Sequence, residues 1–202
     1  MARYQIERAH IANGGDGYWT MLCAISNDPN LRKKSRDRVR STENMIRGAY
    51  KLIFENCSKP LTKLNKSVEA MMKSVNNYSG FAIGSLALCG ALNSIKGSRY
   101  FTLKNKLLST IIAAELDPGD SDSDSSRESM TLDEFMKEVL YERHGFIVDL
   151  NLTRDDQEVL KIDVWRFENN KSALEKRLVD TGNARKYSDS TTIVEGFTTS
   201  RD

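Results

Sequence analysis

The stretch LDPGDSDSDSSRESMTLDEFMKEVLYERHG, residues 116–145, changes character in the middle. Its first part, 117–130, consists mostly of Asp and Ser, and Met130 is its one large apolar residue. Such a composition cannot bury enough surface to offset the entropy lost when a chain becomes ordered. It predicts a flexible acidic linker at 117–130, between a basic helical domain at 1–116 and a second domain at 131–202. The same run also fits a phosphorylation cluster, or a competitor for polyanions that folds back on the basic half.

The second part of the stretch carries the signals that mark both ends of a helix. Thr131 and Glu134 have the spacing of a capping box, in which each side chain accepts a hydrogen bond from a backbone N–H that the helix leaves unpaired. Gly145 fits the left-handed residue that follows many helices. The sequence therefore predicts a helix between Thr131 and Gly145. Its apolar residues recur at intervals of three and four positions, as in an amphipathic helix: Leu132, Phe135, Met136, Val139 and Leu140.

The elements expected after this helix follow one another in a defined order. The pattern predicts a short strand at 146–152, helices near 153–162 and 168–180, and a hairpin at 184–197. In its order of elements, this domain resembles the winged helix-turn-helix proteins. The segment VLKIDVWRF, residues 159–167, also fits a strand, which would make the domain a different small α+β fold.

The resemblance implies that residues 168–180 form a recognition helix, which in this family enters the major groove of DNA. The contacts would come from the outward side of that helix and from the base of the wing: Asn169, Lys176, Arg177, Arg185 and Lys186. The charge of the domain opposes this function, because residues 131–202 carry 11 Lys and Arg against 15 Asp and Glu. A net acidic module gains little from counterion release on DNA. A protein partner is the alternative for this domain.

Residues 1–116 have the opposite balance, with 18 Lys and Arg against 8 Asp and Glu. Much of this charge falls in a long helix expected from Asn30 to Cys57, which Asp28 and Pro29 open. At about 100° per residue, its cations gather on the side opposite to its apolar residues. A row of this kind can bind successive phosphates, whereas a solvated face that pairs with acidic residues is the alternative. The candidate phosphate-binding residues are Arg32, Lys33, Arg36, Arg40 and Arg47.

Further helices are expected at 60–75, 80–95 and 102–116. The middle one holds the most apolar stretch of the chain, FAIGSLALCGAL at 81–92, and is expected to be buried among amphipathic neighbours. The expected fold is therefore mainly α, with an N-terminal helical bundle and a small C-terminal α+β domain of the winged-helix type.

The sequence shows no pattern of a catalytic or metal site. Its two histidines, His10 and His144, are isolated, and the Gly-rich NGGDG at 13–17 lacks the Lys-Ser/Thr of a phosphate-binding loop. The cysteines form no CxxC pair and are typical of reduced core thiols: Cys23, Cys57 and Cys89. We expect neither an enzyme nor a cofactor. No apolar run reaches the length of a membrane span and the N-terminus lacks an apolar signal core, so a cytoplasmic protein without a membrane partner is expected.

Together these features predict a non-catalytic accessory protein associated with nucleic acid, with DNA as the favoured form. The basic domain would bind the phosphate backbone without sequence preference. The winged-helix-like domain would recruit a protein partner of a larger complex or contact DNA. One alternative is a protein-interaction adaptor that binds no nucleic acid. Another is a chain whose basic and acidic halves neutralise each other.

Overall fold

A computed structural model describes residues 20–58, 84–116, 128–152, 159, 161–187 and 190–196. Several sequence predictions lie outside the described residues. These are the Gly-rich segment 13–17, the helix expected at 60–75, most of the acidic linker, most of the helix expected near 153–162, and the residues His10 and Cys57 (of Cys57, the side chain).

The long basic helix is present as predicted. Helix α1, Pro29–Ser58, is 30 residues long. Asp28 caps it, because Oδ1 of Asp28 accepts hydrogen bonds from the backbone N–H groups of Asn30 and Leu31, each at 2.9 Å. Proline at the first helical position fits as well, since that N–H would have no partner inside the helix. The residues of α1 that are buried recur every three or four positions and define the side that faces the protein: Leu31, Ser35, Val39 and Thr42.

An antiparallel hairpin packs beside α1. Its strands are β2, Leu92–Ile95, and β3, Ser98–Phe101. The hydroxyl of Ser35 accepts a hydrogen bond from the backbone N–H of Phe101 at 2.8 Å and donates to the carbonyl of the same residue at 3.4 Å. Lys96 and Gly97 form the turn, with φ of 48° and 79°. Two successive positive φ values are the geometry of the tight turn that suits the twist of a hairpin.

The helix predicted over residues 80–95 is wrong in its last part. Residues 80–83 are outside the described ones and residues 84–89 are helical, after which the chain enters β2. Gly90, with φ of 96°, ends this helix in a backbone conformation that other residues rarely adopt. Leu88 is 85% exposed, so the helix is not buried as expected. The apolar composition of the stretch favoured a core helix. Backbone hydrogen bonds between β2 and β3 instead make its last residues a strand.

Two further helices follow predicted patterns. Helix α2, Asn105–Glu115, lies within the helix predicted at 102–116 and buries Leu108, Ile111 and Ile112. Helix α3 runs as an α-helix over Leu132–Glu134 and as a π-helix over Phe135–Arg143.

The capping box at the start of α3 is confirmed. The hydroxyl of Thr131 accepts from the N–H of Glu134 at 3.2 Å, and the Glu134 carboxylate accepts from the N–H of Thr131 at 2.9 Å. Gly145 has a φ of 72°, as predicted for the residue that follows the helix. The π-helical section was not predicted.

Two short parallel strands connect distant parts of the chain. Strand β1, Met21–Leu22, pairs with β5, Phe146–Ile147. The backbone N–H of Cys23 donates to the carbonyl of Ile147 at 2.9 Å, and the N–H of Ala24 donates to Phe101 at 2.9 Å. The segment that leads into α1 is thus hydrogen-bonded to β3 on one side and to β5 on the other.

The C-terminal elements contain the predicted hairpin. Helix α4 spans Val164–Asp180, and strands β6, Ala184–Lys186, and β7, Thr192–Glu195, form the hairpin. Strand β4, Ser129–Thr131, completes an antiparallel sheet in the order β4-β7-β6, so Ser129 and Met130 belong to a strand and not to a linker. Residues 164–167 are helical, which excludes the strand alternative for that part of 159–167.

One hydrophobic core contains residues from both sides of the acidic segment. It includes Met21 and Phe101 together with Phe135, Leu174 and Val194. The predicted fold class is wrong: the described residues form an α+β arrangement of helices with small sheets, and the expected N-terminal helical bundle is not formed by them. The winged-helix assignment of residues 131–202 stays a prediction. No helix in the described parts of the chain is both long and apolar enough to cross a bilayer.

Candidate nucleic-acid interface

The buried amide of Asn170 fixes the segment that leads into α1. Asn170 is completely buried in α4. Its Oδ1 accepts from the backbone N–H groups of Ile25 at 2.7 Å and Ser26 at 3.0 Å. Its Nδ2 donates to the carbonyls of Cys23 and Val148, each at 2.9 Å. Two donors and two acceptor positions are all that an amide side chain offers, so every hydrogen bond of this group is made inside the protein.

A second contact from α4 holds the first residues of α1. The guanidinium of Arg166 lies 2.5 Å from Oδ2 of Asp28 and 3.0 Å from Oδ2 of Asp163. Burial alone would raise the pKa of Asp28. The N–H of Leu31, the Arg166 guanidinium and the N–H of Asn30 together lower that pKa below its ordinary value. Asp28 is therefore a charged cap, and α4 and α1 are joined through it.

Three of the predicted phosphate-binding residues lie together on the outer side of α1. Lys33 and Arg40 are exposed and Arg36 is half-buried. We call Lys33, Arg36 and Arg40 the basic row. At a rise of 1.5 Å per residue, the row extends over about 10 Å of the helix. Arg47 lies in the same helix, but its side chain is outside the described residues.

Arg32 differs from the other cations of α1 because it packs against the protein. Its guanidinium lies over the ring of Tyr100, 5.5 Å from the centroid, and donates a hydrogen bond to Oδ1 of Asn27. Its Nε is buried without a hydrogen-bond partner. The Arg32 side chain therefore connects α1 to the hairpin, and it is less accessible to a ligand than the exposed cations of α1.

The hairpin adds cations that the sequence analysis missed. Arg99 in β3 lies 3.8 Å from the carboxylate of Glu43 in α1, and both side chains are partly exposed. Glu43 follows Arg36 by two turns of helix, so Arg99 flanks the basic row. Lys96 is exposed at the turn of the hairpin. The dipeptide Lys96-Gly97 between two short segments that fit strands is a sequence signal of this hairpin. It was overlooked because the helix predicted at 80–95 included the first of these segments.

The residues predicted for DNA contact in the C-terminal part have different surroundings. Arg177 is half-buried and donates to the carbonyl of Leu103, and burial lowers its pKa although Tyr100 and Cys23 oppose this. Arg185 pairs with Glu195 at 2.9 Å, and Lys186 pairs with Glu175 at 3.0 Å. Asn169 and Lys176 are exposed on α4. The two groups of predicted residues are thus on different elements, with the basic row on α1 and the second group on α4 and its hairpin.

An exposed tryptophan was also missed. Trp165, in the first turn of α4, is 49% exposed. At about 100° per residue it shares one side of α4 with Asn169 and Lys176, a spacing visible in the sequence. It was missed because α4 was expected to begin at residue 168.

The described residues bring together no group of three or more His, Cys, Asp and Glu side chains that could hold a metal ion. Cys23 is free and buried, as predicted for a core thiol, and burial raises its pKa. Cys89 is free but exposed, so its assignment to the core is wrong. The reason is the same as for Leu88, because the helix at 84–89 lies at the surface.

Comparison with known proteins yields no match: no protein-family model, no curated protein and no solved structure is significantly similar to this chain.

Proposed function

We propose that this chain is a non-catalytic accessory protein that binds nucleic acid through the phosphate backbone. The basic row and the flanking Arg99 are the proposed contacts. The observation that carries the proposal is a row of three cations, two exposed and one half-buried, on one side of a helix whose opposite side is buried. Asn170 and Asp28 hold the start of that helix in place, so its backbone needs little further ordering when a ligand binds.

The chemistry of the row favours phosphate as the ligand. Arginine offers a planar fork of N–H donors that matches phosphate oxygens, and Lys33 adds a compact charge. Contacts of this kind position a protein on nucleic acid without reading sequence. Binding would release condensed counterions, so affinity would fall as salt rises. Residues 1–116 as a whole carry an excess of ten positive charges, 18 against 8, which steers a polyanion towards this part of the chain.

A protein-interaction adaptor within a larger complex is the second candidate. It is supported by two apolar side chains in the C-terminal elements that are exposed and that a protein partner would cover. Val179 is 39% exposed and Tyr187 is 51% exposed. We propose the cytoplasm as the location, because Cys23 and Cys89 are both free and such thiols persist in a reducing compartment.

Charge reversal in the basic row tests the main proposal. We expect the double variant Arg36→Glu and Arg40→Glu of the full chain to weaken binding to a random-sequence oligonucleotide by about tenfold or more, because two phosphate contacts become repulsive. Fluorescence polarisation at low salt measures this loss.

The matched control is Lys106→Glu with Lys137→Glu, which changes net charge by the same amount at two exposed residues outside the row. The control should bind nearly as the unaltered chain does. An equal loss in both variants would show that overall charge, and not the basic row, governs binding.

A further inference from the structure

Trp165 packs against an arginine that is itself held by two carboxylates. The guanidinium of Arg166 covers one face of its indole ring, 4.3 Å from the ring centroid. Arg166 is in turn held between the carboxylates of Asp163 and Asp28. The ring is therefore stacked on a cation that two carboxylates keep in place, while about half of the residue stays open to solvent. An aromatic ring that is ordered in advance loses little entropy when a second flat group stacks on it.

The ring of Trp165 is connected to the start of α1 through Arg166. Asp28, which binds Arg166, is the cap of α1, and the basic row begins five residues later at Lys33. Five residues of helix correspond to about 8 Å. The exposed ring is thus linked through Arg166 to the cap of α1, and the first cation of the basic row follows that cap by about 8 Å along the helix axis.

This arrangement fits an unpaired nucleotide chain better than a duplex. In a single strand the bases are free to stack on an aromatic side chain while the phosphates follow a basic surface. Inside a duplex the bases already stack on one another, so only the phosphates are offered. The basic row would contribute to both ligands, and Trp165 to the single strand alone.

Tyr187, the other aromatic side chain with large exposure in the described part of the chain, lies elsewhere. Its neighbour Lys186 pairs with Glu175, which is nine residues after Arg166 in α4. At about 100° per residue, Glu175 and Arg166 are on opposite sides of that helix. Tyr187 is therefore on the far flank of α4 from the cap of α1.

We propose that Trp165 is a base-stacking site at the end of the basic row and that the ligand of this surface is single-stranded nucleic acid. The inference rests on the proposed function, because stacking adds to binding that the basic row provides. It also gives α4 a role that differs from a recognition helix in a major groove: its first turn supplies an aromatic ring to an unpaired base.

The test compares Trp165→Ala and Tyr187→Ala in the full chain, with an oligothymidine and with a duplex of the same length. We expect Trp165→Ala to lose about tenfold in affinity for the oligothymidine and less than about twofold for the duplex, as for the loss of one stacked base. Tyr187→Ala should change neither. Circular dichroism on both variants checks that the helices remain.

A second measurement avoids any change at the site. The chain has 2 Trp residues, so Trp19→Phe leaves Trp165 as the single indole fluorophore. Stacking predicts that oligothymidine quenches its fluorescence and that the duplex does so much less.

The outcomes separate this inference from the proposed function. If neither nucleic acid binds the unaltered chain, the proposed function fails. If both bind but Trp165→Ala binds normally and the fluorescence is unchanged, the stacking site is refuted while the phosphate-binding function stands. In that case a protein surface is the remaining occupant for Trp165.

Discussion

Asn169 and Asn170 show how much one position along a helix can change the role of the same amino acid. Asn170 is buried, and its amide satisfies backbone groups of two separate chain segments. Asn169 is exposed on the same helix. The sequence analysis selected Asn169 as a DNA contact and passed over Asn170, because a buried polar residue on an amphipathic helix is recognised only when its partners are known. Those partners are distant in sequence from Asn170: Cys23, Ile25, Ser26 and Val148.

The two asparagines make a matched pair for a stability measurement. Asn170→Ala leaves four backbone groups around Asn170 without their partners, and each unsatisfied buried group costs about 1–3 kcal/mol when no water replaces the lost contact. We expect it to lower the free energy of unfolding by about 3 kcal/mol or more. Asn169→Ala should change it by less than about 0.5 kcal/mol, as is usual at the surface. Urea denaturation measures the free energy of unfolding of both variants. Equal losses in the two variants would contradict the role given to Asn170.

At the scale of elements, local patterns predicted the ends of helices well. Thr131 with Glu134 at the start of α3, and Asp28 with Pro29 at the start of α1, act through atoms within three residues. The same local view failed at 80–95, where apolar composition favoured a helix. There the outcome depends on pairing between β2 and β3 and on the reversal at Gly90. The hairpin of β6 and β7 was predicted because its strands and turn are close together in sequence.

The cap of α1 makes the stability of this element depend on pH. Because contacts in the folded state lower the pKa of Asp28, its charge stabilises the fold above the ordinary pKa of 3.8, and this contribution is lost as pH falls through the lowered value. We expect Asp28→Ala to lower the free energy of unfolding by about 1 kcal/mol at neutral pH. The difference from the unaltered chain should narrow below pH 3.8.

Urea denaturation at neutral and acid pH measures that difference. Asp180→Ala, at the exposed last residue of α4, is the control and should show no comparable loss at neutral pH. If the difference in free energy of unfolding between the unaltered chain and Asp28→Ala stays constant down to strongly acid pH, the charged cap is ruled out.

At the scale of the whole molecule, residues from before α1 complete a core formed with C-terminal elements. Strands β1 and β5 have two residues each and pair in parallel although they are far apart in sequence. The predicted strand at 146–152 contains β5, but no local pattern predicts its pairing with β1. The sequence did identify a dense group of cations on α1, of which Lys33, Arg36 and Arg40 lie on its outer side. It could not place Arg99 beside α1 or link Trp165 to the cap of α1, because these depend on contacts of β3 and of α4 with α1 that join residues distant in sequence.

The dependence of binding on salt tests the central claim most directly. We would titrate the full chain with an oligothymidine over a series of salt concentrations and plot the logarithm of affinity against the logarithm of salt. Four phosphate contacts, from the basic row and Arg99, predict a straight line with a slope of about −3, at about −0.7 per contact on a single strand. Absence of binding at the lowest salt, or an affinity that does not change with salt, would contradict the account.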